Sequence, residues 1–257
     1  RARDSLLWAN PLLFNSMSAV PSAAKPCEPA SGSLKSLIAN ERDLYAQNNP
    51  NSLALQRRAK SVLPGGNTRT VLHYAPFPIT VKRAEGAHIV DVDGHKYQDF
   101  LGEYTAGLYG HSHPKITHAL TRALSDGLTF GGPTEREGQL GALICERFPA
   151  VERLRFCNSG TEANVLALSS ARAHTGRTDI MVIDGSYHGG VLSFAGDNPL
   201  NAPFPTHRIP FNDLKTATET INGVGGELAA LIIEPMIGAG GCIPADVNFL
   251  EGLRRAT

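Results

Sequence analysis

The chain has 257 residues, enough to bury a sizeable core in one large or two modest domains. Lysine plus arginine equals aspartate plus glutamate at 24 each, so no basic excess argues for nucleic acid or an anionic membrane as partner. No apolar run approaches the roughly 20 residues of a membrane span, and the cysteines (Cys27, Cys145, Cys157, Cys242) stand singly, as free thiols of a reducing compartment do.

Residues 1–50 are rich in Ser, Ala, Pro and Asn and read as a poorly structured extension, with helical spacing only over 34–45. The chain opens on Arg1, and Met17-Ser18-Ala19 reads as a start. An organelle-targeting segment is the rival reading, weakened by Asp4, Pro11 and Pro21; the expected location is cytoplasmic. Beyond it, 53–62 reads as a short helix ended by the turn Pro64-Gly65-Gly66. Three strands follow at 79–81, 88–92 and 97–100, with the hairpin pair Asp93-Gly94 between the last two.

Helical spacing returns at 115–124 and 135–148, the second behind a Thr134-x-x-Glu137 capping box. Strands then alternate with helices: strand 154–157, helix 161–174, strand 180–183, a long loop, helix 213–221, strand 228–233 and helix 247–255. That alternation predicts parallel pairing in a layered α/β domain. His111-Ser112-His113 has metal-ligand spacing but no evident carboxylate or thiolate partner, and reads as a turn entering the helix at Pro114.

The most informative segment is Arg155-Phe156-Cys157-Asn158-Ser159-Gly160-Thr161-Glu162, a strand running into a capped helix start. Backbone N–H groups there point outward with the positive end of the helix dipole behind them. Gly160 lets an anion approach, and the hydroxyls of Ser159 and Thr161 can donate to it. The same pattern also serves an ordinary capped helix. Ligands in such sheets sit beyond the carboxyl ends of the strands. Three strand ends should therefore deliver Asn158–Thr161, then Gly185-Ser186-Tyr187-His188-Gly189, then Glu234-Pro235 to one edge. An anion cup, an aromatic beside a histidine, and a carboxylate suit a charged aromatic cofactor.

The blocks LPGGNTR (63–69), RAEGAHIVDVDGHKYQDFLGEYTAGLYGHSHP (83–114), RFCNSGTEAN (155–164), GSYHGG (185–190) and IIEP (232–235) resemble, in order and spacing, the class III aminotransferases. Those are pyridoxal-phosphate enzymes of fold type I. The wording is most similar to the β-amino-acid (β-phenylalanine-type) branch, with glutamate-1-semialdehyde aminomutases as close relatives. The resemblance implies an α/β fold: the three-layer, mostly parallel large domain of fold type I, incomplete, over 106–257, preceded by a segment of the small domain over 51–105. It implies that Ser159, Gly160 and Thr161 bind the cofactor phosphate, that Tyr187 stacks on the pyridine ring, and that His188 positions ring or substrate. Glu234 matches the family's strand-end Glu and is implied as a further cofactor-binding residue, although Met236-Ile237 lacks the Gln many relatives place there. Arg69 matches the arginine that clamps the substrate carboxylate, and Glu103 and Tyr104, with Thr105, match the substrate mouth. Partners implied are amino-acid and keto-acid substrates, and a second subunit in a homodimer of the full-length form. Neither nucleic acid nor membrane is implied.

The Schiff-base lysine and the aspartate that faces the pyridine nitrogen match no residue here; both lie in the family beyond the position of Thr257. The chain is therefore expected to be a fragment, inactive alone, with its last strand left as an apolar edge. Three functions stay open: an aminotransferase, an aminomutase acting by the same chemistry, and a noncatalytic remnant that binds phosphate or a partner.

Overall fold

The fold is seen in a computed structural model, which describes residues 33–257. The Met17 start, the targeting reading, Cys27 and most of the N-terminal extension lie outside the described residues. The chain forms two compact units that divide between Gly131 and Gly132.

In the first unit, helix α1 (Leu34–Asn48) starts at Ser33, whose Oγ accepts from the Ser36 amide at 3.3 Å. Helix α2 (Pro50–Lys60) begins three residues earlier than the sequence predicts, because Asp93 caps it from outside. The Asp93 carboxylate accepts from the Asn51 amide at 2.7 Å, the Ser52 amide at 3.0 Å and the Ser52 hydroxyl at 2.7 Å. Strands β1 (Val81–Glu85), β2 (His88–Asp91) and β3 (Lys96–Gln98) form an antiparallel sheet in that order. The Asp93-Gly94 turn joins β2 to β3 as its residues predict, with Gly94 at φ +98°. Helix α3 (Pro114–Asp126) follows the turn at His113.

Beneath that turn the buried carboxylate of Asp91 accepts from the His95 amide at 2.8 Å, from His95 Nδ1 at 2.9 Å and from the Tyr97 hydroxyl at 2.9 Å. Burial pushes the Asp91 carboxyl up, but the bonds from His95 and Tyr97 outweigh it and hold it below its ordinary 3.8. Burial, then the bond to Asp91, pushes the Tyr97 phenol up to about 12. A depressed carboxylate stabilises the fold above its ordinary value, and the contribution disappears as pH falls through the lower folded value. Asp91→Asn is expected to cost about 1–3 kcal/mol at neutral pH, from three donors losing a charged acceptor. It should also flatten the acid limb below about pH 4; urea midpoints across that range check both outcomes.

In the second unit, helix α4 (Glu135–Arg147) opens with Thr134 donating its amide to the Glu137 carboxylate at 3.4 Å. Helix α5 (Gly160–Thr175), β4 (Asp179–Ile183), β5 (Thr206–Ile209), α6 (Leu214–Val224), β6 (Leu228–Ile232), the short hairpin β7 (Met236–Ile237) and β8 (Ile243–Pro244), and α7 (Val247–Ala256) follow. The parallel sheet has the order β5-β4-β6. Central β4 is apolar throughout from Ile180 to Ile183, because both its faces are covered there. Ile180 and Val182 pack with Leu168 of α5, Leu192 and Phe194, whereas Met181 and Ile183 pack with Ile221 of α6 and with Phe249 and Leu253 of α7. Helices on both faces of a parallel sheet give the three layers the sequence predicts.

Two expectations are corrected. Residues 154–157 form no strand: a strand exists by its ladder, and no neighbour pairs with this segment among the described residues. The stretch expected to be one long loop contains β5, an edge strand whose alternation of Thr206, His207, Arg208 and Ile209 is too polar to stand out.

Candidate active site

Strand β4 ends at Ile183, and the chain turns sharply through residues 184–190. The Ser186 hydroxyl, fully buried, donates to the Ile183 carbonyl at 2.6 Å. The Gly185 amide donates to Phe194 O at 2.9 Å and the Phe194 amide to Ser186 O at 2.8 Å, while the His188 amide donates to Leu192 O at 2.8 Å. This doubled-back loop leaves Tyr187 half exposed and buries His188.

The start of α5 meets the loop. At its N-cap, Ser159 Oγ accepts from the Glu162 amide at 3.1 Å, and the Glu162 carboxylate accepts from the Asn158 amide at 2.8 Å. The reciprocal bond thus reaches one residue before the N-cap. Thr161 Oγ1 accepts from the Gly190 amide at 3.2 Å, and Asn164 Nδ2 donates to His188 O at 2.8 Å. Because the Ser159 and Thr161 oxygens each accept an amide proton, each hydroxyl keeps its own proton to donate outward. The amides of Gly160 and Thr161, at the first positions of α5, have no partner among the described residues. Gly189 sits at φ +133°, and a Cβ there would overlap Thr161 Oγ1. Loop and helix start are in direct contact.

His188 Nε2 is buried without a hydrogen-bond partner among the described residues. Burial lowers the His188 pKa, against the raising effect of the Glu234 charge, so the ring is neutral near pH 7. Glu234, two residues past β6, spends both carboxylate oxygens on backbone: Oε1 accepts from the Tyr187 amide at 2.8 Å and Oε2 from the Gly238 amide at 3.3 Å. A cleft of about 810 Å³ opens beside α5, lined by Ser159, Thr161, Glu137, Arg155 and Glu162 among others, with Tyr187, His188 and Glu234 outside its lining.

The second unit therefore brings Ser159, Gly160, Thr161, Tyr187, His188 and Glu234 to one edge of the sheet. Outward-donating hydroxyls, unpaired amides on a positive helix end and an orphaned buried imidazole nitrogen fit a phosphate ester carrying a polar ring. Sequence reasoning missed Asn164, although its position one turn after Thr161 put it on the same face of α5. Lys215, the single lysine of residues 132–257, is the second residue of α6.

In the first unit, the Arg69 guanidinium lies 5.7 Å from the centre of the Tyr104 ring, and no carboxylate pairs with it among the described residues. Glu103, Tyr104 and Thr105 hold φ of 52°, 56° and 76° in succession. For non-glycine residues, a β-branched one included, such a run is uncommon and strained. The carboxylate that His111 lacked by sequence is Asp99, whose Oδ2 lies 2.7 Å from His111 Nε2.

The α/β architecture with its parallel sheet is that of fold type I proteins, and in it the start of α5 meets the Tyr187–His188 loop through Thr161 and Gly190. Residues 71–257 match the family model of class-III aminotransferases, and the chain belongs to that pyridoxal-phosphate-dependent family. The β-phenylalanine transaminase of Variovorax paradoxus is 49% identical over 213 residues, covering 82% of this chain and 49% of that protein. A glutamate-1-semialdehyde 2,1-aminomutase of Heliobacterium modesticaldum is 38% identical over 217 residues, covering 77% and 50%. The crystal structure of the β-phenylalanine aminotransferase from Variovorax paradoxus superposes with a TM-score of 0.84 at 47% identity, over 87% of this chain and 52% of that one. The chain spans about half the length of the curated relatives it matches.

Proposed function

We propose that the chain carries the phosphate- and ring-binding part of an aminotransferase that moves an amino group from a β- or ω-type amino acid to a keto acid. The observation that supports this most is the contact of the α5 start with the Tyr187–His188 loop through Thr161 and Gly190. Bound there, pyridoxal phosphate supplies the electron sink for amino-group chemistry. Ser159 and Thr161 donate hydroxyl protons to its phosphate, and the Gly160 and Thr161 amides add the helix-dipole field. Tyr187 covers one ring face, and neutral His188 offers Nε2 to a polar group of ring or substrate. Arg69, without an acidic partner and flanked by Tyr104, grips the substrate carboxylate in two parallel bonds, with Glu103 and Tyr104 at the mouth.

Similarity to the aminomutases keeps that chemistry as the second reading. The test is amino transfer from β-phenylalanine by the full-length form of the protein, with pyridoxal phosphate supplied. Consumption that requires a keto acid supports the aminotransferase, an amino shift without one supports the aminomutase, and cofactor binding with neither favours a noncatalytic module. In the full-length form, Arg69→Lys, which keeps the charge but loses the planar fork, is expected to raise the amino-donor KM about 10- to 100-fold with kcat little changed. Steady-state kinetics check this, with a donor lacking the carboxylate as control. Further proposals are a homodimer and a cytoplasmic location, the latter supported by the free thiols Cys145, Cys157 and Cys242. Among the described residues, no helix is long and apolar enough to cross a membrane.

A further inference from the structure

We infer that Glu234 is a positioning residue for Tyr187; this rests on the functional reading above. Among the described residues, its carboxylate is the one group that hydrogen-bonds the loop after β4 to the loop after β6. One oxygen holds the Tyr187 amide at 2.8 Å and the other the Gly238 amide at 3.3 Å. Charge-assisted bonds to backbone amides are the stronger kind, and both here cross from one loop to another or close a turn. Each oxygen is held by one of the protein's own backbone donors, so the carboxylate is fixed as a strut between the two loops.

The consequence falls on Tyr187. Its side chain is half exposed, so packing holds it only in part. The backbone bridge from Tyr187 to Ser193 and the bond to Glu234 place the main chain from which the ring projects. Met236 and Ile237 follow directly as β7, so the Glu234 bond couples the ring-bearing loop to a hydrogen-bonded hairpin. Glu234 therefore acts on ring binding through Tyr187 and leaves the phosphate cup, built by Ser159, Gly160 and Thr161, untouched.

The experiment is calorimetric titration of the full chain with pyridoxamine 5′-phosphate, which cannot form an imine with surface lysines, and with inorganic phosphate. Glu234→Ala is expected to weaken pyridoxamine phosphate about tenfold, the worth of one charge-assisted bond, and to leave inorganic phosphate unchanged. Glu234→Gln keeps an acceptor for the Tyr187 amide and should restore most of the loss. Combining Glu234→Ala with Tyr187→Ala should weaken binding no more than Tyr187→Ala alone. Hydrogen exchange gives a reading independent of ligand: the Tyr187 and Gly238 amides should lose protection in Glu234→Ala, and Tyr187 should keep it in Glu234→Gln. Unchanged ring-compound affinity in Glu234→Ala, additive effects with Tyr187→Ala, or an equal loss for inorganic phosphate overturns the positioning role. A wild-type chain that binds neither compound overturns the functional reading beneath it, while exchange still reports on the bond itself.

Discussion

Gly189→Ala is expected to abolish high-affinity binding of a phosphorylated pyridine compound, by about 100-fold or more, and to destabilise the second unit by about 2–4 kcal/mol. Two costs combine. The φ of +133° is a region that L side chains rarely occupy, and the new Cβ would overlap Thr161 Oγ1, with Thr161 Cβ 2.7 Å and Thr161 Cα 2.8 Å away. The flexible end of a side chain can swing aside, but a Cα in the first turn of α5 cannot. The loop must therefore lift, breaking the bond from the Gly190 amide to Thr161 Oγ1 and releasing the hydroxyl that the cup uses. Gly190→Ala is the control. A Cβ there meets nothing within 4 Å, and the change should cost less than about 0.5 kcal/mol. Calorimetric titration and thermal melting of both variants measure the two effects separately.

Phe249→Ala is expected to remove about 3–5 kcal/mol of stability, a large share of the roughly 5–15 kcal/mol that holds a domain folded. Phe249 is 2% exposed and stands in the cluster formed by Met181, Ile183, Ile209, Ile221 and Leu253. Its ring meets Phe211 edge-on at 5.8 Å. Truncation leaves a cavity between α7 and the sheet that neither β4 nor α6 can close, since both are fixed by their own ladders and packing. The same change at Phe100, which is 94% exposed, should be close to neutral. Urea unfolding followed by far-ultraviolet circular dichroism distinguishes the two.

What the sequence made legible was local. Apolar runs at 180–183 and 228–233, Ser159 with Glu162 at the α5 start and Asp93-Gly94 at the turn carry their signals within a few residues, and the structure has each element there. The misreadings share a cause. The stretch 154–157 has the residues of a strand but no partner among the described residues. Strand β5 has a partner, β4, but residues that look like loop. At the site, Ser159, Thr161, Tyr187 and His188 were legible as residue types in motifs. The bonds that organise them span long separations: 24 residues from Asn164 to His188 and 47 from Tyr187 to Glu234. The cap that Asp93 gives Ser52 of α2 spans 41. Such contacts belong to the fold, and no local pattern announces them.

The central claim is that the start of α5 holds the phosphate of a pyridoxal-type cofactor. The most direct measurement is the shift of the Gly160 and Thr161 amide resonances during titration with pyridoxamine 5′-phosphate and, separately, with pyridoxamine. Saturable shifts at these two amides with the phosphorylated compound, and none with pyridoxamine, are the predicted result. Equal responses to both compounds, or shifts confined to other residues, would contradict it.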